Sequence, residues 1–342
     1  MKEIEQILSL WSQLEEKGEA AVLATVMKTS GSSYRLPGAR LLLGPRGERA
    51  GSVSGGCLED DLLKKAWWLT ESGPVVRRYD TTRDGEIAVE YGLGCNGIVH
   101  VLLERVAPGQ VGILDLLRNV RQTRVPAVVW HRIDTPGQRT VIRAETDIVE
   151  HGDMFVETLV PALRLLIFGA GEDAVPLVNL AKFFGWQVHV FDGRSHYARR
   201  DKFPNADSVN VRNPGGGPEL PIDSWTAAVL MSHSYSQDRA MLEELAHREL
   251  RYLGVLGPRK RAEQMLAEAG INEKSESPAL HSPMGLDIGA DGPDQVALSV
   301  IAEIQATLNG RRGGLLRERA GSIHSADMSD PASAWVPSIV CA

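Results

Sequence analysis

The sequence predicts an α/β protein: a small N-terminal α/β domain followed by a doubly wound, parallel-sheet domain. Three observations predict it. The chain has 342 residues, roughly twice the usual size of one domain. From residue 163 onward, nearly continuous apolar segments of strand length alternate with helical patterns, which is how a parallel sheet covered on both faces is written. The first hundred residues instead intersperse short strand-like segments with two helical stretches. Composition bounds the function. Apolar residues make up 43% and charged residues 24%, an ordinary globular balance. Basic residues number 37 against 44 acidic, a net charge of −7, which argues against nucleic acid as a partner. No apolar run approaches the roughly 20 residues of a membrane span, and acidic residues interrupt the N-terminal apolar pattern, unlike a secretory leader. Three cysteines form neither a disulfide framework nor a paired zinc-ligand spacing. A cytoplasmic protein is expected.

Taken in order, Ile4, Ile7, Leu8, Leu10, Trp11 and Leu14 fall on one stripe of a helix that Gly18 stops. Residues 20–28 read as a buried strand, 29–38 as a turn and 39–43 as a second strand. Residues 57–69 read as a helix. Its first turn carries Glu59, Asp60 and Asp61, with Lys64 and Lys65 four residues after the two aspartates, an order that suits the helix dipole and (i, i+4) pairing. Strands follow at 75–79, 87–91 and 98–104. A helix at 111–121 and strands at 127–131 and 140–143, around a turn at Thr135-Pro136-Gly137, close the first domain and begin a connection. In the second domain, strands are expected at 163–169, 186–192, 208–211, 227–232 and 252–256. Helices are expected from near 174 to 184 and at 237–251, 259–269 and 294–308. The domain boundaries follow: 1–105, a connecting region 106–160, the parallel-sheet domain 161–310, and an extension 311–342 that loosens after His324.

The sharpest chemical signal is Gly-Ala-Gly-Glu-Asp-Ala at 169–174, directly after an apolar strand. In this GxGxxA form Gly169 permits a tight turn, Gly171 lets the backbone approach a pyrophosphate at a helix N-terminus, and Ala174 lets the helix pack on the sheet. Asp192, 21 residues beyond Gly171, ends the next strand, where a carboxylate can accept from a ribose hydroxyl. Together these make the domain Rossmann-like. Glu172 sets a negative charge beside that phosphate position. Two further segments follow strands: one with His233, Tyr235 and Asp238, the other with Arg259 and Arg261 at a helix start. The arginines either hold an anionic group or are simply solvated, and His233 either binds ligand or caps.

In the first domain Gly55 and Gly56 precede Cys57 at a helix start, where free N–H groups stabilise a thiolate or an anion. Cys95 lies in a second glycine turn, 92–97. Both thiols suit a soft metal or sulfur transfer; the other reading is that each is a small buried hydrophobe. Cys341 is incidental. Arg35 and Arg40 flank a Pro-Gly turn and either bind phosphate or brace it. Trp67 and Trp68 are expected to share a helix between core and a partner contact.

These motifs together resemble the XdhC/CoxI family, accessory factors of xanthine dehydrogenase, carbon monoxide dehydrogenase and related molybdenum hydroxylases. GSSYRLPGARLLL and GSVSGGCLEDDL are similar to its N-terminal signature and GLGCNG to its second cysteine turn. LLIFGAGEDAVPLVNLAKFFGWQVHVFDGR, MSHSYSQD and YLGVLGPRKR resemble its Rossmann domain, and HSPMGLDIGADGPDQVALSVIAEIQA with LLRERAGSIH its C-terminal part. The chain departs from the family pattern at Glu172, commonly His, and at Ser234, commonly Asn. The resemblance implies a dimeric chaperone that binds molybdenum cofactor, as molybdopterin or its cytosine dinucleotide, and delivers it to an apo molybdenum hydroxylase. It also implies contact with a cysteine desulfurase for cofactor sulfuration. On that reading Cys57, then Cys95, face the metal or its sulfur, with Cys57 a molybdenum ligand. Gly55, Gly56, Arg35 and His233 are further binding residues. Gly169, Gly171, Asp192, Arg259 and Arg261 hold the phosphate or nucleotide end, in a cleft between the domains. Two rivals stay open: an NAD(P)-dependent oxidoreductase, in which NAD(P) or another nucleotide fills the Rossmann site, and a non-catalytic scaffold between desulfurase and hydroxylase.

Overall fold

The structure is a computed structural model that describes residues 2–31, 33–56, 58–80, 97–132, 154–216, 219–271 and 280–319. It divides into two compact units between Pro161 and Ala162. The strand expected at 87–91, that at 140–143, and the tail after His324 lie outside the described residues.

The first unit is a five-stranded antiparallel sheet with helices on both faces. Helix α1 (Lys2–Glu16) leads into strands β1 (Ala21–Gly31), β2 (Arg40–Leu43) and β3 (Arg49–Gly51), then helix α2 (Glu59–Leu69), β4 (Val75–Asp80) and β5 (Gly97–Val106). The strand order is β3-β2-β1-β5-β4. Alternation along β1 sends Ala21 and Leu23 to one face and Val22, Ala24 and Val26 to the other, the period-2 rule of a strand. On the first face α1 buries Ile7, Leu8, Trp11 and Leu14, each stabilising by roughly 1.5–3 kcal/mol. On the second, α2 buries Leu62 and Ala66, with Trp67 partly covered. Lys65 pairs with Asp61 at 2.5 Å, as the (i, i+4) spacing predicts.

Residues read from sequence as a connection pack into this unit instead. Helix α3 (Ile113–Thr123) and the antiparallel pair β6 (Ala127–Arg132) and β7 (Met154–Leu159) follow β5. Ile113, Leu114, Leu117 and Val120 join the α1 core together with Val129 and Leu159. An amphipathic helix needs such a surface to cover its apolar stripe.

The second unit is the doubly wound sheet. Strands β8 (Arg164–Phe168), β9 (Gln187–Asp192), β10 (Ser208–Val211), β11 (Thr226–Leu230), β12 (Tyr252–Val255) and β13 (Leu280–His281) lie in the order β10-β9-β8-β11-β12-β13. Every neighbouring pair is parallel. Counted within the sheet this is 3-2-1-4-5-6, the Rossmann order, whose switch point lies between β8 and β11. Helices α4 (Ala174–Phe183) and α7 (Pro293–Leu308) cover one face, and α5 (Tyr235–Leu245) and α6 (Arg259–Ala269) the other. Helix α5 is shorter than the sequence pattern suggests, since the 246–251 stretch turns to feed β12. No helix among the described residues is long and apolar enough to cross a membrane.

Candidate functional site

The carboxyl ends of the parallel strands form the edge where such sheets place ligands. Here the chain spends much of that edge on itself. Asp192, at the end of β9, has a fully buried carboxylate. Its Oδ2 accepts from the Ala170 N–H and from Arg194 Nη2, both at 2.9 Å. Its Oδ1 accepts from the Arg194 N–H and Nε, again at 2.9 Å. Burial alone would raise the Asp192 pKa; the bonds from Arg194 and Ala170 outweigh it and hold the group below the usual carboxylate range. The acceptor expected for a ribose is thus saturated from within the chain. Arg194 also donates to the Ser232 carbonyl at 3.1 Å and stacks over Tyr197 at 4.2 Å.

The glycine turn is similarly self-filled. Gly169 has φ +127°, and a Cβ there would fall 2.3 Å from the Met231 carbonyl oxygen at the end of β11. Its glycine is required by the close approach of the two central strands. A Cβ on Gly171 would fall 2.3 Å from Asp173 Oδ1, so the space the glycine leaves is taken by the chain's own carboxylate. Asp173 Oδ2 meets His233 Nε2 at 2.7 Å, with His233 in the left-handed region at φ 59°. Glu172 swings out to Lys202 at 2.8 Å, whose ammonium also reaches the Ala170 carbonyl.

Along the sheet, Arg261 is a brace. It donates to the buried Asp238 at 2.7 Å and to the Leu256 carbonyl at 3.0 Å, while Asp238 accepts from the Ser232 N–H and hydroxyl. Arg259 and Lys260, at the head of α6, are exposed. They are cations this edge leaves facing out.

In the first unit the glycine loop before α2 closes on one side chain. Glu59 is 4% exposed. Its Oε1 accepts from the Ser52 hydroxyl (2.8 Å) and from the Val53 and Ser54 N–H groups (3.0 and 2.9 Å). Its Oε2 accepts from the Ser54 hydroxyl and the Gly56 N–H (3.0 Å). The Ser54 oxygen in turn accepts from the Leu58 N–H at 3.0 Å. Burial pushes the Glu59 pKa up, but the Ser54 and Ser52 bonds pull it further down, to about 2. Gly56 has φ +121°, and Gly55 lies against the exposed Tyr34 ring. Arg35 is paired with both carboxylate oxygens of Glu3 on α1. Arg40 is buried with Glu157 and His131. Trp68 is 69% exposed. Cys57, Cys95 and Cys341 lie outside the described residues. Among the described residues no group of His, Cys, Asp and Glu side chains is arranged to hold a metal ion.

Sequence reasoning missed Glu59 and Arg194 as the residues that set these two turns. Glu59 read as a dipole partner for α2. Arg194 passed unremarked in the strand-end Asp-Gly-Arg, where two-residue spacing from Asp192 is the available signal.

A parallel sheet in Rossmann order, joined to a small antiparallel α/β unit with its own glycine turn, defines a two-part protein of the nucleotide-binding-like class. The chain belongs to the XdhC and CoxI family. Residues 14–80 match that family as described, and residues 165–304 match the XdhC Rossmann domain. A Bacillus subtilis protein, named as one of the probable subunits of xanthine dehydrogenase, is 33% identical over 320 residues, covering 86% of this chain and 95% of its own. The Escherichia coli molybdenum cofactor insertion chaperone PaoD is 28% identical over 298 residues, 84% of this chain and 83% of that one. A Bacillus halodurans protein, whose crystal structure is described as a xanthine dehydrogenase, superposes with a TM-score of 0.76 at 29% identity, over 96% of this chain and 98% of that one.

Proposed function

We propose that this protein is a molybdenum-cofactor chaperone. It takes the cofactor as cargo, in its molybdopterin or cytosine-dinucleotide form, supports its sulfuration in contact with a cysteine desulfurase, and hands it to an apo hydroxylase of the xanthine dehydrogenase type. It does so as a cytoplasmic homodimer. The observation that carries this reading over hydride transfer is Asp192. A dehydrogenase needs that carboxylate free for a ribose diol, and here Ala170 and Arg194 consume it. The name of the Escherichia coli relative points the same way.

The chemistry of the cargo fits the residues left outward. A pterin phosphate is anionic, and Arg259 and Lys260 present charge at the carboxyl edge of the sheet, the edge that also carries the part-exposed Arg194. Cys57 and Cys95 are assigned to the metal and its sulfur, as soft ligands for a soft site. The test is protein purified without oxygen from cells rich in molybdenum cofactor, then oxidised and assayed for pterin fluorescence and molybdenum. Near-stoichiometric pterin is expected. No pterin, even after incubation with free cofactor, refutes the reading.

A further inference from the structure

We infer that the glycine turn after β8 is a phosphomonoester site, in which the His233 imidazole takes a terminal phosphate and Asp173 shuts out a bridging diphosphate. This deepens the chaperone reading and rests on it, since it names the plain pterin phosphate, not the cytosine dinucleotide, as cargo.

A Rossmann turn holds a bridging diphosphate in two ways. The backbone approaches it at the second glycine, and the helix start points N–H groups at it. This chain withdraws both. Asp173 Oδ1 fills the space at Gly171, 2.3 Å from where a Cβ would stand. At the head of α4 the Ala174 and Val175 N–H groups turn back to the Gly171 and Glu172 carbonyls, at 3.3 and 3.2 Å. The third residue, Pro176, has no N–H to offer. Asp173 stands at the N-cap position, where an aspartate ordinarily accepts from the helix N–H groups. It makes no such bond and accepts from His233 Nε2 instead, at 2.7 Å.

His233 meets that partner from a strained backbone. Among the described residues, Arg124 and His233 are the non-glycine residues with positive φ. Arg124 is the left-handed C-cap of α3, whereas His233 ends no helix. Its φ of 59° is enforced from both flanks. The Ser232 N–H and hydroxyl bond Asp238, the Ser232 carbonyl takes Arg194, and the Ser234 N–H returns to the Ser232 hydroxyl oxygen. Strain held by its surroundings in this way points to a task. The ring lies over the turn, with Cδ2 3.8 Å from the Cβ position of Gly171, at the switch point between β8 and β11. Its side chain is 62% exposed, and Nδ1 has no partner among the described residues.

An imidazolium with one N–H on a carboxylate offers the other to an anion, and the two nitrogens point apart, so carboxylate and phosphate are kept separate. The charges around it are otherwise paired: Glu172 with Lys202, Asp192 with Arg194, and Asp238 with Arg261. Arg259 and Lys260 stand exposed at the head of α6. A phosphomonoester concentrates nearly two charges on one group at neutral pH, and its free oxygens reach Nδ1 without lying along Gly171.

The probes are cytidine monophosphate (CMP), which ends in a phosphate, and CDP-ethanolamine, which carries the same nucleoside on a bridging diphosphate. Each is titrated into the full-length protein at about pH 6.5, where an imidazole changes charge, with the His233 ring signals followed by NMR. CMP is expected to shift those signals saturably and to move loss of the His233 proton to higher pH, since an anion favours the imidazolium. It should bind at least about tenfold tighter than CDP-ethanolamine. His233→Asn keeps a residue that tolerates the left-handed region and should weaken CMP about tenfold or more. Asp173→Ala vacates the space at Gly171 and should cut the preference for CMP by about threefold or more. No CMP binding, equal binding of the two probes, CMP binding unchanged in His233→Asn, or a preference that survives Asp173→Ala each overturns the inference. Where His233→Asn does not fold, unmoved ring signals in the wild type overturn it equally. Pterin carried by the wild type and by His233→Asn alike also sinks this inference and leaves the chaperone reading standing. A wild type that carries no pterin refutes that reading, while the probes still decide the turn.

Discussion

Replacing Asp192 by Asn tests whether this carboxylate serves the fold or a bound nucleotide. The change keeps the shape and removes the charge. Oδ1 and Oδ2 together accept four bonds, two from the guanidinium and two from backbone N–H groups. An amide can accept at one atom only, so either the Ala170 or the Arg194 N–H is left facing a donor. Hydrogen bonds to a charged group are worth about 1.5–3 kcal/mol each. Arg194 is 32% exposed, so water recovers part of its loss and the charge contribution must be discounted. The expected cost is about 2–4 kcal/mol. Urea unfolding followed by tryptophan fluorescence, to which Trp186, buried in this unit, contributes, reads it. Millimolar NAD+ is expected to leave the wild-type transition unmoved, because a ligand that binds the native state raises stability with its concentration. A cost below about 0.5 kcal/mol, joined to NAD+ stabilisation that Asp192→Asn abolishes, would show the carboxylate free for ribose and refute the reasoning.

Three further outcomes follow from the same geometry. Gly169→Ala should cost about 2–4 kcal/mol in thermal unfolding of the second unit, since φ +127° and a Cβ 2.3 Å from the Met231 carbonyl oxygen combine backbone strain with a clash; an unchanged midpoint would mean the strands can part. Glu157→Gln removes the negative charge that faces Arg40 and His131, whose side chains are 3% and 2% exposed, while leaving one oxygen able to accept from both, and should destabilise the first unit by about 3–5 kcal/mol, as leaving a buried charge unpaired does; urea titration followed by tryptophan fluorescence checks it. Glu59 supplies a pH dependence. Its folded pKa of about 2 lies below the ordinary 4.5, so its contribution is complete above pH 4.5 and is lost as pH falls towards 2; stability measured across that window should fall less steeply in Glu59→Gln, and parallel curves would count against the assigned shift.

The fold was legible because its two signals are local. Apolar runs such as 163–168 mark parallel strands, and the helical pattern over 259–269 matches α6 (Arg259–Ala269). Strand order follows from neither, yet alternation of strand and helix with a GxGxxA turn limits it to few topologies. The placement of α3 and of the β6–β7 pair was not legible. It depends on contacts such as Arg40 with Glu157, 117 residues apart, and no local period encodes a partner at that distance. The positions of the strand-end residues were legible. The glycines and Asp192 were found from their spacing, and so was the strand-end position of Arg259 and Arg261. What the spacing does not carry is which acceptor each donor meets.

That distinction joins the two units. In each, a glycine-rich turn exposes N–H groups in the pattern of an anion receptor, and in each the anion is supplied by the chain itself: Glu59 for residues 53, 54 and 56, Asp192 for residues 170 and 194. A motif specifies the donors because they follow from backbone geometry; the acceptor arrives from two or three residues on, or from the next strand. A turn closed in this way gains rigidity and gives up the ligand its pattern advertises.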